Sequence, residues 1–319
     1  MNTEIPSNAR VEAIDIAKGI GIILVYFGHI PPTIDIKTFI YSFHMPLFFF
    51  LSGIFMDEKK YDFKSFFISR CKTLLIPLFT FATFSIIVGF IRQGGFHHLQ
   101  WSGPLWFLYI LFFVEVFIFY VWKNLYWISH SSLLKHIVCL SLFVIAFIVD
   151  NHHIHLPLDF NVVPLASFFF VVGNLLSVQI KNRLLNSSTR IELLAAFLLL
   201  IGIIFYTWCT QDQTNVHKSH IADDLYGYLI AFSGICVTLM ISKQIARNTY
   251  LCNFLQFCGK NSLIIYGTHY ILQRWIGVDK VNCTQNPVMY ILLNCAVVAS
   301  ICVIIWVVNR KAKWCIGRM

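Results

Sequence analysis

The chain has 319 residues, 58% of them hydrophobic and 12% charged, with a mean hydropathy of +0.71. A soluble globular domain carries about 25% charged residues, so the composition excludes one and implies a single membrane-embedded domain over residues 1–319. The net charge of +9 does not point to nucleic acid, because the basic residues gather in alternate loops, as membrane topology requires.

Residues 1–12 are polar, and no small-residue cleavage site follows the first apolar run, which is therefore read as a retained span. A spanning helix needs about 20 mostly apolar residues. The sequence predicts an all-α bundle of about ten such helices, near 13–30, 38–56, 74–92, 104–122, 136–150, 161–179, 191–209, 225–243, 261–277 and 287–309. The fifth and ninth are short or interrupted.

The first span, DIAKGIGIILVYFGHI over 15–30, carries three groups that hydrocarbon penalises: Asp15, Lys18 and His29. At about 100° per residue, Lys18 and His29 are offset by about 20°, and Asp15 and His29 by about 40°. All three share one stripe, filled between by Ile22 and Val25. Lys18 and His29 lie about 16 Å apart along the axis, at about 1.5 Å per residue. Ionisable groups in a membrane helix almost always face the bundle interior or a wet cavity. Gly19, Gly21 and Gly28 thin the same helix for close neighbours. Each polar residue alone also has a plain structural reading. Lys18 can snorkel to headgroups, Asp15 can serve the helix dipole, and His29 can sit at the interface.

Further along, the second span holds His44 and the pair Ser52-Gly53. The next loop carries five cations, Lys59, Lys60, Lys64, Arg70 and Lys72. Glu115 lies within the fourth span, and an intramembrane carboxylate is a functional candidate by default. Trp106 reads as packing or interfacial. The loops DNHHIHLPLD and TQDQTNVHKSHIADD are polar and hold histidines, read as solvated rather than metal-binding because no ligand spacing repeats. Tyr266 and His269, one turn apart in the ninth span, can face one cavity. The ten cysteines form no CxxC pattern and read as buried hydrophobes or inert thiols; Cys209 and Cys283 are the one pair worth checking for a bridge.

With the N-terminus in the cytoplasm, eighteen basic residues fall on the inner side: Arg10, Lys59, Lys60, Lys64, Arg70, Lys72, Lys123, Lys135, Lys181, Arg183, Arg190, Lys243, Arg247, Lys260, Arg310, Lys311, Lys313 and Arg318. Five fall outside: Lys37, Arg92, Lys218, Arg274 and Lys280. That asymmetry favours ten spans with both termini cytoplasmic.

Several stretches resemble the acyltransferase 3 family of integral membrane O-acetyltransferases. DIAKGIGIILVYFGH is similar to its first helix, where a basic residue, ten intervening residues and a histidine recur; Lys18 and His29 occupy those places, with lysine where arginine is commoner. FHMPLFFFLSGIFM over 43–56, RCKTLLIPLF over 70–79, GPLWFLYILF over 103–112 and GKNSLIIYGTHYIL over 259–272 follow in the family's order. The nearest subgroup is the one described as fucose 4-O-acetylase-like. One departure is Thr73, where many members carry a second arginine three after the first. Lys72 beside it supplies charge but not arginine's bidentate geometry.

The resemblance implies transfer of an acetyl group from acetyl-CoA to a sugar hydroxyl of a surface polysaccharide or its lipid-linked precursor, in the inner membrane. His29 is then the general base or a transient acetyl carrier. Lys18 contacts the donor or holds Asp15. Arg70 and Lys72 are expected to bind donor phosphate, Arg70 being equally readable as an ordinary inner-loop charge. His44, Glu115, Tyr266 and His269 are candidates for acceptor binding; Glu115 can instead orient a histidine or be a neutral structural carboxyl. No metal is expected, and the oligomeric state is open. The competing reading is a transporter that uses Asp15, Lys18 and His29 for proton or solute coupling, although such a protein favours broken helices and matching halves, neither of which is plain in the sequence.

Overall fold

The computed structural model describes residues 12–30, 33–93, 104–125, 131–185, 190–210, 212–246 and 249–317. Arg10, Arg247 and Arg318 of the charge comparison lie outside these residues, as does the side chain of Arg92. Among the described residues the chain is helical, with one isolated bridge, Asn215 to His220, and no strand.

In order, α1 is Glu12–Gly28, α2 Ile34–Tyr41, α3 His44–Ile54 and α4 Phe63–Arg70. A π-helical turn, Cys71–Leu75, joins α4 to α5, Ile76–Gln93. Then come α6 Trp106–Asn124, α7 Ser132–Asn151, α8 Val163–Leu175, α9 Ser177–Leu185 and α10 Arg190–Cys209. The last four are α11 Leu225–Ile245, α12 Thr249–Lys260, α13 Ser262–Ile276 and α14 Pro287–Lys311.

Among the described residues, eight stretches are long and apolar enough to cross a membrane. The sequence reading has ten; the other two are α1, with 17 residues, and α13, with 15. Both are interrupted by polar groups, and both are packed inside the bundle. The expected span 136–150 is in fact a full helix of 20 residues, started by Ser131, whose hydroxyl accepts from the Leu134 N–H. The expected span 38–56 is broken at Ser42–Phe43 into α2 and α3. The Phe43 ring lies against Gly234 of α11, where any Cβ would overlap it.

Burial sorts the helices into two layers. The spanning window of α6 is 67% buried and that of α2–α3 is 61%, against 22% for α7, α10 and α14. The last three therefore form the outer wall and carry the large exposed apolar side chains, such as Leu133, Phe197 and Val288. Lipid covers such a face at no cost, since its tails are as apolar as leucine.

At the centre, α1 packs against α12, α11, α13 and α3. Two glycine pairs set the closest approaches. A Cβ at Gly19 would overlap the Leu255 carbonyl oxygen, and one at Gly259 the Asp15 carbonyl oxygen, so α1 and α12 meet backbone to backbone. Gly53 and Gly173 do the same for α3 and α8, against the carbonyls of Phe170 and Phe50. Beside that contact Asn174 donates to the Gly53 and Met56 carbonyls at 3.3 and 3.0 Å and accepts from Trp122 Nε1 at 3.0 Å. This closes the C-terminal end of α3.

A charge cluster, buried at Glu192 and Lys243 and exposed at Arg183, ties α9, α10 and α11 together. Glu192 of α10 accepts from Lys243 of α11 at 2.9 Å and pairs with Arg183 of α9 at 2.7 Å. All ten cysteines are free, so Cys209 and Cys283 are not bridged.

Gly259→Ala should therefore lower the thermal unfolding midpoint in detergent, by an overpacking cost of about 1–3 kcal/mol. Gly202→Ala, on α10 with open space around it, should be neutral or stabilising by up to about 1 kcal/mol through helix propensity. Equal midpoints for the two variants would rule out the backbone contact as a determinant.

Candidate active site

The polar residues of α1 reach two cavities that follow one another along the helix. The inner chamber, about 300 Å³, is lined by Lys18, Ile22 and Val25 of α1, Ser52 and Phe48 of α3, Arg70, Thr73, Glu115 and Tyr266, among others. The outer chamber, about 390 Å³, is lined by Val25 and His29, by Lys37, Tyr41 and His44, by Trp106, and by the loop residues Gln213, Asn215, Val216 and His217. Val25, Met45 and Tyr266 line both. Each volume sits at the lower end of small-molecule sites, which run about 300–1,000 Å³.

In the inner chamber the cations are held, not loose. Lys18 Nζ lies 4.5 Å from the centre of the Phe55 ring. Arg70 Nε stands 3.1 Å from Glu115 Oε2, outside hydrogen-bond alignment, and its guanidinium covers the Phe66 ring at 4.8 Å. The π-helical turn follows Arg70 directly. Such turns recur at functional sites because they re-aim side chains. Here Arg70 and Thr73 line the chamber while Lys72 is exposed and outside it.

In the outer chamber the histidines are locked from behind. His44 opens α3 just after the break, and its Nδ1 bonds the Ile40 carbonyl at 2.8 Å. His269 of α13 is fully buried, with Nδ1 on the carbonyls of Ile265 at 3.0 Å and Tyr266 at 2.9 Å. A carbonyl only accepts, so Nδ1 carries the hydrogen in both rings, and Nε2 of the neutral imidazole is a bare lone pair. His29 lies in the turn after α1, which is fixed by Gln273 donating to the Tyr26 carbonyl at 3.0 Å and Tyr290 donating to the Ile30 carbonyl at 2.6 Å. Its ring is 5.1 Å from both His269 and Tyr270.

A polar loop covers this chamber. His217 stacks on Trp106 at 5.0 Å, and its Nε2 lies 3.1 Å from Asp159, which also accepts from Tyr109 at 2.6 Å. Asp159 has a left-handed backbone, φ 54°, which Asp tolerates better than most residues. His220 sits between Asp150 and Asp212, at 2.8 Å from each. Its hydrogen bond to Asp150 is the largest effect; burial opposes it, the charges of Asp150 and Asp212 and the Asp212 hydrogen bond add to it, and its pKa is lifted to about 9.

The sequence model of the acyltransferase domain family Acyl_transf_3 matches residues 11–310. The chain belongs to this family. It is an acyltransferase, and with its apolar helices a multi-pass membrane protein. No curated protein and no solved structure matches it.

Within this acyltransferase the candidate residues separate. Lys18, Arg70, Glu115 and Tyr266 meet at the inner chamber, and His29, His44 and Tyr266 at the outer one. Asp15 is buried under Gly259 and lines neither. Lys72 points away, and His269 lies behind the wall rather than in it. Glu115, expected to contact acceptor hydroxyls, orient a histidine or be a neutral structural carboxyl, lines the inner chamber and lies beside Arg70. The structure adds Lys37, Gln213, Asn215 and His217 to the outer lining, together with Trp106, which the sequence offers as packing or interfacial. The loop that carries Gln213, Asn215 and His217, TQDQTNVHKSHIADD, is largely polar, and that polarity was the available signal. Among the described residues no group of three or more His, Cys, Asp or Glu side chains is arranged to hold a metal ion.

The raised pKa of His220 makes the loop clamp strongest below the ordinary histidine value of about 6.5, and the clamp is lost as pH rises through about 9. Hydrogen exchange over residues 212–221 should therefore accelerate between pH 7 and 9.5 beyond the intrinsic chemical rate. His220→Gln should remove that excess; an excess that survives the substitution would refute the clamp.

Proposed function

We propose that this acyltransferase moves an acetyl group from acetyl-CoA to a sugar hydroxyl, with the donor in the inner chamber and the acceptor in the outer one. The observation that carries the reading is the serial arrangement of the two cavities, one with Lys18 and Arg70, the other with His29, sharing the wall of Val25, Met45 and Tyr266. The residues fit the donor's chemistry. Phosphates need cations, and Lys18 and Arg70 supply them beside the basic loop of Lys59, Lys60 and Lys64. A pantetheine arm needs apolar surroundings, and Phe48, Phe107 and Leu111 give the inner chamber an apolar wall.

The reaction needs a base, because a hydroxyl is a poor nucleophile until its proton is taken. His29 takes that proton as the hydroxyl oxygen attacks the thioester carbonyl carbon. The new C–O bond forms, the C–S bond breaks, and His29 passes the proton to the departing thiolate. The products are an O-acetyl sugar and coenzyme A. In the stepwise variant His29 first carries the acetyl group on its bare ring nitrogen. Glu115 keeps Arg70 in place, and Tyr266 lines both chambers at their shared wall.

The orientation follows from charge. Ten spans, counting α1 and α13, with both termini cytoplasmic, put Lys18 toward the inner face and His29 toward the outer. Donor enters from the cytoplasm, and the acceptor is a surface polysaccharide or its lipid-linked precursor at the outer leaflet of an inner membrane.

Purified protein in lipid nanodiscs should bind acetyl-CoA and release free thiol. His29→Ala should cut acetyl transfer by about 10²–10⁴-fold, the usual share of a general base, and leave donor binding near wild type. Arg70→Gln should instead weaken donor binding. A wild-type protein that neither binds acetyl-CoA nor cleaves its thioester, yet moves solute across the bilayer of reconstituted liposomes, would replace this reading with the transporter.

A further inference from the structure

His269 presents an unusual electrostatic situation. Its ring is fully buried, its Nδ1–H is committed to two helix carbonyls, and its Nε2 has no hydrogen-bond partner. A buried acceptor without a donor costs about 1–3 kcal/mol, so such a group calls for one. The surrounding rings are Tyr26 at 6.4 Å, Tyr266 at 6.2 Å and His29 at 5.1 Å. Both tyrosine hydroxyls are committed elsewhere, Tyr26 to Asn294 and Tyr266 to the Pro104 carbonyl. His29 is the neighbour whose ring makes no hydrogen bond among the described residues, and it is the nearest.

We propose that His269 is a positioning residue whose bare Nε2 accepts the ring N–H of His29, leaving the other nitrogen of His29 as a lone pair toward the outer chamber. A centroid separation of 5.1 Å lets facing ring nitrogens meet at hydrogen-bond distance. His29 is half-buried and lines the chamber, so its ring can turn to make the bond. The relay then runs in one direction. Helix carbonyls fix the tautomer of His269, and His269 fixes the tautomer and rotation of His29. An imidazole whose N–H is so held is the better base, for the reason that applies to histidines in catalytic and metal sites. His44, with Nδ1 also tied to a carbonyl, has no ring hydrogen to offer in its place. The inference rests on the reading of His29 as base, but its structural core can be tested without acetyl transfer.

The test uses full-length protein in detergent and diethyl pyrocarbonate, which acylates a bare imidazole nitrogen, at one neutral pH, with each histidine followed by mass spectrometry. His269→Leu fills the space without an acceptor; His269→Gln restores one through its amide oxygen. Modification of His29 should slow about three- to tenfold in His269→Leu, the worth of one hydrogen bond, and stay within about twofold of wild type in His269→Gln. Exposed His136 is the internal control and should not change. A wild-type rate in His269→Leu, or equal slowing in both variants, overturns the pairing. If His269→Leu fails to fold, ¹⁵N spectra of histidine-labelled wild type and His29→Ala decide. The His269 Nε2 resonance should shift when His29 is removed, and a fixed resonance overturns the pairing. In turnover, His269→Leu should lower kcat and leave KM for acetyl-CoA unchanged. Loss of the modification effect with transfer still dependent on His29 sinks the pairing alone; transfer that survives His29→Ala sinks the base assignment alone.

Discussion

Hydrocarbon will not hold the ammonium of Lys18, and that penalty organises the protein. A lysine at the centre of a membrane helix costs roughly 2.5–3.5 kcal/mol on insertion scales. The cost disappears if other helices, not lipid, surround α1. The structure meets this condition by packing α3, α11, α12 and α13 against it and turning its remaining face to the chambers. The same need explains why α1 and α13 are shorter and more polar than the eight apolar stretches. An inner helix need not match the hydrocarbon thickness by itself.

Shielding alone would leave no room for chemistry. Backbone contacts at Gly19–Gly259 and Gly53–Gly173 pull α1 against α12 and α3 against α8. The opposite face of α1 is left free, and there the two chambers lie. Close packing on one side and a cavity on the other are thus two consequences of where the small residues fall. The break before His44 and the π-helical turn after Arg70 serve the same end. Each redirects side chains toward a chamber at the point where a regular helix would have turned them away.

Charge is distributed unevenly between the chambers. The inner one holds Lys18, Arg70 and the carboxylate of Glu115, and Lys37 lines the outer one. The outer one concentrates imidazoles, tyrosines and amides, with a loop held over it by Asp150, His220 and Asp212. Helix carbonyls at i−4 set the tautomers of His44 and His269. The backbone, which is otherwise silent in membrane helices, here decides which nitrogens are bare.

Much of this was legible in the residues themselves. Apolar runs and loop charges established a helical membrane protein, and the period of 3.6 residues placed Lys18 and His29 on one stripe, because helix geometry converts spacing into direction. The order of short motifs pointed to the acyltransferase family. What the residues one by one could not determine is which polar groups share a cavity. Asp15 lies within the same stripe as Lys18 yet is sealed beneath Gly259; Lys72 is adjacent to Arg70 in the chain and faces the other way. His217 and Gln213 join the outer chamber from a loop some 190 residues after His29, a distance over which no periodicity carries information. Local spacing sets the direction of a side chain on its own helix, but only the packing of separate helices sets what that direction meets.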